Sequence, residues 1–392
     1  MKFATRLLTF DPAPGDRFTP ANTPIYQTAT FRQDDATEFG DYDYSRSGNP
    51  TRAVVEKQIA ALENGARGFC FSTGLAAITA VTRLVAPGEE ILACDDLYGG
   101  TYRLFSRILA KRGINVRYVD FNNLDAVAAS ITSSTKLVYL ESPTNPLLQV
   151  IDIRAVADIA HRAGVLVCVD NSTMSPYLQR PLELSADIVL HSATKFLCGH
   201  SDVMAGAVVV SDDQLGEELY LIQNGEGAGL APFDSFLLLR GMKTLSLRLD
   251  RQQSNARKIA EWLEAQPAVE RVYYPGLADE PQRRVHRGQA SGDGAVLSFV
   301  TGDAELSRAI VEATKLFNIT VSFGGVNSTI SLPNYMSHAS IPRHLRQQKS
   351  IPADLVRVSV GAEDVEDLLD DLNQAFEFAS QQNIGARAVA AD

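Results

Sequence analysis

Seven short apolar runs recur between residues 68 and 211: GFCF, EEILACDD, INVRYVD, TKLVYLE, VLVCVDN, ADIVLHS and AGAVVVS. They are β-rich and continuously apolar rather than alternating. A strand with one wet face alternates, whereas a strand covered on both faces does not. Between most of them lie stretches of helical period, such as GLAAITAVTRLV, YRLFSRILAKRG and IRAVADIAHRAG. This alternation predicts an α/β chain: a parallel or mostly parallel sheet with helices on both faces.

Further on, a long helical stretch, GMKTLSLRLDRQQSNARKIAEWLEAQ, leads to shorter runs: RVYYPG, AVLSFV, TVSF and LVRVSVG. With helices between and after them, these predict a smaller C-terminal α+β domain. Residues 1–55 are rich in turn formers, YDYSRSGNPT among them, and read as an arm that packs on a neighbouring subunit. The expected division is an arm over 1–55, a large domain over 56–245 and a small domain over 246–392. A chain of 392 residues, 45% hydrophobic, is too long for one compact unit. The closing GARAVAAD reads as a frayed tail.

Charge and composition narrow the function. The net charge is −11 and no Lys/Arg cluster occurs, which argues against nucleic acid and anionic membrane as partners. No apolar run reaches the roughly 20 residues of a membrane span. The opening MKFATRLLTFDPAPGDRF reads as neither a signal nor a transit peptide. Cys70, Cys94, Cys168 and Cys198 form no metal-binding spacing. They read as buried thiols in a reducing cytoplasm. His191 and His200 have no acid or cysteine at ligand spacing, so no metal is expected.

Ligands of open α/β sheets bind where the strands end. GFCF is followed by STGLAA, small residues opening a helix, which can hold an anion such as phosphate or simply cap the helix. VLVCV ends in Asp170, a carboxyl that is costly to bury without a cation; it could equally cap a turn. ADIVLHSAT ends in Lys195, with Ser192 and Thr194 beside it. A lysine there either snorkels to solvent or becomes a desolvated nucleophile for carbonyls. Tyr98, in CDDLYGGT, offers an aromatic face. Each feature alone is weak. Together they ask for one ligand with a phosphate, a cationic ring nitrogen and an aldehyde, which is pyridoxal 5′-phosphate. No G-x-G-x-x-G follows the first strand, so a nicotinamide enzyme is poorly supported.

With YSRSGNPT, DDLYGGTYRLF, ESPTNP, VDNS, HSATKFLCGHSDVMAG and LVRVSVGAED, the chain resembles the cysteine/methionine-metabolism family of pyridoxal-phosphate enzymes, from residue 4 to about 380. The resemblance implies the aspartate-aminotransferase-like architecture (fold type I) and a homo-oligomer, a tetramer. It also implies site roles. Lys195 would be the Schiff-base lysine, and Asp170 the partner of the pyridinium nitrogen. Gly74, Leu75, Ser192 and Thr194 would hold the phosphate, and Tyr98 would stack on the ring. Tyr44 and Arg46 would reach the site of a neighbouring subunit. Arg357, Asn145 and Ser322 would bind the substrate carboxylate. From residue type alone, Arg357 could equally be a surface ion pair.

Within the family, TPIYQTATF, DNSTMSP, RPLELSADIV, QNGEGAGLAPFD and LRGMKTL are most similar to the plant-type β-lyases. Gly100 stands where methionine γ-lyases typically carry cysteine, and Val321 where many γ-enzymes carry glutamate. Asn327 stands where most relatives have glutamate, which leaves the distal substrate contact open. The implied reaction is α,β-elimination of an amino-acid thioether. A γ-lyase, a γ-synthase, and an inactive regulatory protein on the same fold stay open as alternatives.

Overall fold

The computed structural model describes residues 1–339 and 351–389. All seven apolar runs of the first set are strands: β1 (Arg67–Phe71), β2 (Glu90–Cys94), β3 (Asn115–Val119), β4 (Thr135–Glu141), β5 (Leu166–Asp170), β6 (Ile188–His191) and β7 (Gly206–Val210). They form one sheet in the order β1-β7-β6-β5-β4-β2-β3. β3, β2, β4, β5 and β6 run parallel, while β7 is antiparallel to both neighbours. The sheet is therefore mixed at one side and parallel through the rest. Its two faces feed different cores, as continuously apolar strands require: on β7, Ala207 and Val209 join one, Val208 and Val210 the other.

A second sheet has the order β10-β11-β12-β9-β8, built from β8 (Arg271–Tyr273), β9 (Val296–Val300), β10 (Asn318–Ile319), β11 (Thr329–Ser331) and β12 (Val356–Ser359). Here the expectation needs correction. TVSF, residues 320–323, is not a strand; β10 ends just before it and β11 follows later. Ser322 has φ of 84°, a left-handed backbone that no strand accommodates. The long helical stretch is also two helices, Pro232–Met242 and Leu245–Glu264, with Lys243 and Thr244 between them. In YRLFSRILAKRG the helix Gly99–Leu104 passes into a wider π turn, Phe105–Leu109, and a 3-10 turn, Ala110–Arg112.

The last helix runs Val365–Val389, so the expected tail is helical through residue 389, and residues 390–392 lie outside the described residues. Its acids are not all solvated: buried Asp371 accepts the backbone N–H groups of Lys315 and Leu316. Trp262 packs edge-on against Phe376 of this helix, with ring centroids 5.4 Å apart. No described helix is long and apolar enough to cross a membrane.

Candidate active site

The parallel strands β4, β5 and β6 end at one edge, and each ends on a titratable residue: Glu141, Asp170 and His191. Beyond that edge lies a cavity of about 450 Å³. Gly74, Leu75, Tyr98, Asn145, Asp170, Ser192, Thr194, Lys195, Ser322 and Arg357 all line it. Ten of the twelve expected residues are therefore brought together from seven separate stretches of chain. Tyr44 and Arg46 are not among the lining residues. Tyr44 is 41% exposed, and Arg46 lies over its ring at 5.1 Å while donating to Asn224.

Lys195 sits in the turn after β6, fixed by its own N–H to Ser192 O and by Gly199 N–H to its carbonyl. The next carbonyls, of Phe196 and Leu197, accept from the buried guanidinium of Arg248, which also reaches Gly241 O. The Lys195 amine points over the Phe323 ring at 4.9 Å and donates to Ser322 Oγ. Burial, then the nearby charge of Arg357, lowers its pKa to about 7, with Asp170 opposing. The lysine is thus the desolvated amine of the sharper reading, and not one that snorkels to solvent.

Asp170 both caps a turn and faces the cavity. One oxygen accepts the Ser172 N–H at 3.0 Å and the Ser172 hydroxyl, the other the Tyr139 hydroxyl at 3.2 Å. Burial raises its pKa, and these hydrogen bonds offset part of that cost. Among the described residues no cation forms an ion pair with it; His191 is instead bound to buried Glu63 at 2.7 Å.

The anion end is built where β1 runs into the helix Gly74–Thr82, capped by Thr73 Oγ1 on Ala76 N–H. A Cβ on Gly74 would sit 2.8 Å from Ser192 Cβ, so glycine keeps the two walls of this corner open. Ser192 donates its N–H to Ser172 Oγ. The Thr194 hydroxyl is bound to the backbone of Ala205, as donor at 3.2 Å and acceptor at 2.9 Å. Thr194 therefore shapes the corner, and its hydroxyl would have to leave Ala205 to bind an anion.

Arg357 lies on β12, fully within the protein at 2% exposure, with no acid partner among the described residues. It donates to Asn145 Oδ1 at 3.0 Å and to Ser322 O at 2.7 Å, and burial lowers its pKa to about 10. A guanidinium so placed is ready to fork onto a carboxylate. It is not a surface ion pair. Tyr98 packs edge-on against His338 at 6.5 Å and gives its N–H to Glu141 at 2.9 Å. A Cβ on Gly100 would fall 2.3 Å from the Tyr98 ring, so glycine there permits the ring's pose. Val321 lines the cavity mouth, whereas Asn327 is not among the lining residues.

Sequence reasoning passed over Glu141, Ser172 and Arg103, which also line the cavity, and Tyr139 behind Asp170. Glu141 carried the signal that singled out Asp170, an acid ending an apolar run. No cluster of His, Cys, Asp and Glu among the described residues could hold a metal. The residues fit pyridoxal phosphate: a near-neutral amine, a buried carboxyl without a cation, an open corner at a helix start and an aromatic face.

A family profile described as Cys/Met metabolism PLP-dependent enzyme matches residues 4–377. The chain is 56% identical to cystathionine beta-lyase, chloroplastic, of Arabidopsis thaliana, over 92% of this chain and 78% of that protein. It is 49% identical to cystathionine gamma-lyase of Bacillus subtilis (strain 168), over 93% and 96%. A solved cystathionine gamma-lyase from Lactobacillus plantarum, complexed with L-serine, superposes with a TM-score of 0.94 at 44% identity, covering 97% of this chain and all of that one. The α/β fold expected from the sequence is the fold of these proteins.

Proposed function

Because the chain belongs to the Cys/Met metabolism PLP-dependent enzymes, we propose that it is a carbon–sulfur lyase cleaving L,L-cystathionine by α,β-elimination to homocysteine, pyruvate and ammonia, a step of methionine biosynthesis. The observation that carries the lyase reading is the Lys195 amine, lowered to about 7 in one cavity with Asp170 and Arg357. The choice of β over γ rests on the plant relatives, at 56% and 54% identity, that bear the name cystathionine beta-lyase.

Pyridoxal phosphate, when bound, withdraws electrons from the substrate's α-carbon. The protein's part is to bind, orient and move protons. Arg357, held by Asn145 and by Ser322, grips the substrate α-carboxylate. Tyr98 faces the ring and takes the proton of the incoming ammonium. Asp170 keeps a proton on the ring nitrogen, and Gly74, Leu75 and Ser192 receive the phosphate. Lys195, about half neutral at pH 7, removes the α-proton and returns one to the departing sulfur.

Tyr44 and Arg46 complete the phosphate site of a neighbouring copy in a homotetramer. In support, Tyr44 is 41% exposed and neither residue lines its own chain's cavity. The reading includes a reducing cytoplasmic location, which four buried free cysteines favour.

The γ-lyase reading has its own support in the 49% and 44% identical relatives of that name. A keto-acid assay on pure cystathionine separates the two. Pyruvate is expected and should vanish in Lys195→Ala; mainly 2-oxobutyrate would overturn the β-reading, and no turnover of any thioether would revive the regulatory one.

A further inference from the structure

Two carboxyls face the floor of the cavity. Glu141 closes β4 as Asp170 closes β5, and the two are register partners on adjacent parallel strands, about 5 Å apart along the hydrogen bonds. Glu141 is 5% exposed and lines the cavity. Its ionisable neighbours supply no counter-charge: Asp170 and Asp96, Cys94 on β2, and Tyr139 two residues earlier on β4. The cavity's cations, Lys195, Arg357 and the exposed Arg103, form no ion pair with it among the described residues. Carboxyls so close on a dry floor do not both ionise readily. Burial, with the charge of Asp170 adding to it, pushes Glu141 well above the usual carboxyl range. Asp170 has two hydroxyls and an N–H to hold its charge.

Glu141 also joins two working loops. Its Oε1 accepts the Tyr98 N–H at 2.9 Å, and the Asn145 N–H bears on the same carboxyl. Tyr98 carries the ring that faces the cofactor site, and Asn145 is bonded to Arg357. We propose that Glu141 is a positioning residue: an uncharged carboxyl that pins the Tyr98 and Asn145 backbones and leaves the negative charge of the floor to Asp170. This rests on the pyridoxal-phosphate reading of the site.

The visible absorbance of the bound cofactor, titrated in holoenzyme from about pH 6 to about pH 10, senses charge beside the ring. Glu141→Gln keeps the size, the neutrality and an acceptor. Its titration midpoint should fall within about 0.3 unit of wild type. A midpoint lowered by about one unit or more would mean a lost negative charge and would overturn the proposal. Glu141→Ala removes the acceptor, and KM for cystathionine should rise about tenfold or more, with the cofactor's circular-dichroism band weakened. Glu141→Gln should rescue both losses. An alanine variant matching wild type in KM and dichroism also overturns the proposal; if that variant does not fold, the glutamine titration decides alone. A wild-type protein that takes up no pyridoxal phosphate would remove the reading of the whole site, a result distinct from either variant's.

Discussion

Stripped of cofactor, the protein should carry a lysine that titrates near neutrality. Lys195 falls from an ordinary 10.5 to about 7, through burial first and Arg357 second. At pH 7.5 an amine of the ordinary value is neutral in about one molecule in a thousand, and one at about 7 in roughly three of four. That gain of several hundredfold is what the cavity contributes to a nucleophile and base. The perturbation is Arg357→Gln, which removes the second cause and keeps the first. The midpoint should rise yet stay well short of 10.5. The assay is competitive acetylation of cofactor-free protein across pH, with the Lys195 peptide quantified by mass spectrometry against the exposed Lys111. A wild-type midpoint above about 9, or a variant midpoint below wild type, would refute the reasoning. Stability follows the same titration. The unfolded chain keeps this proton up to about 10.5, while the folded chain releases it near 7. Cofactor-free protein should therefore gain stability as pH rises between those values and lose it as pH falls.

Gly74→Ala places a methyl 2.8 Å from Ser192 Cβ and 2.9 Å from its hydroxyl. The variant should fold and hold pyridoxal phosphate about tenfold less tightly, a cost near 1.4 kcal/mol. The absorbance-to-protein ratio after dialysis reads this, and full retention contradicts it. Arg248→Met strips a donor from the carbonyls of Phe196, Leu197 and Gly241. Unfolding free energy should drop by about 3 kcal/mol, seen in urea melts, and a loss under about 1 kcal/mol would deny Arg248 its place under the lysine turn.

What could be read from the sequence followed from local chemistry. Lys195 and Asp170 stood out because each is the one charge after an apolar run, and burial made both legible. The strands of the large sheet were legible for the same reason. Arg357 was not, because its burial comes from pairing β12 with β9 and β11, and no local pattern in LVRVSVG reports those neighbours. The left-handed backbone at Ser322 escaped because a positive φ on a non-glycine has no local signature, so TVSF passed for a strand. The burial of Asp371 has no local sign either, because the N–H groups it accepts lie 55 and 56 residues earlier.

Arg357 grows from β12 of the small sheet, and Asn145, its side-chain acceptor, follows β4 of the large one. The same guanidinium takes a second grip on the Ser322 carbonyl. An anion bound by Arg357 would pull on a joint shared by the two sheets. Sliding one half against the other would open the anchor's fork, and a seated amino acid would resist that slide. Recognition of the guest and alignment of its two walls then become one mechanical coordinate.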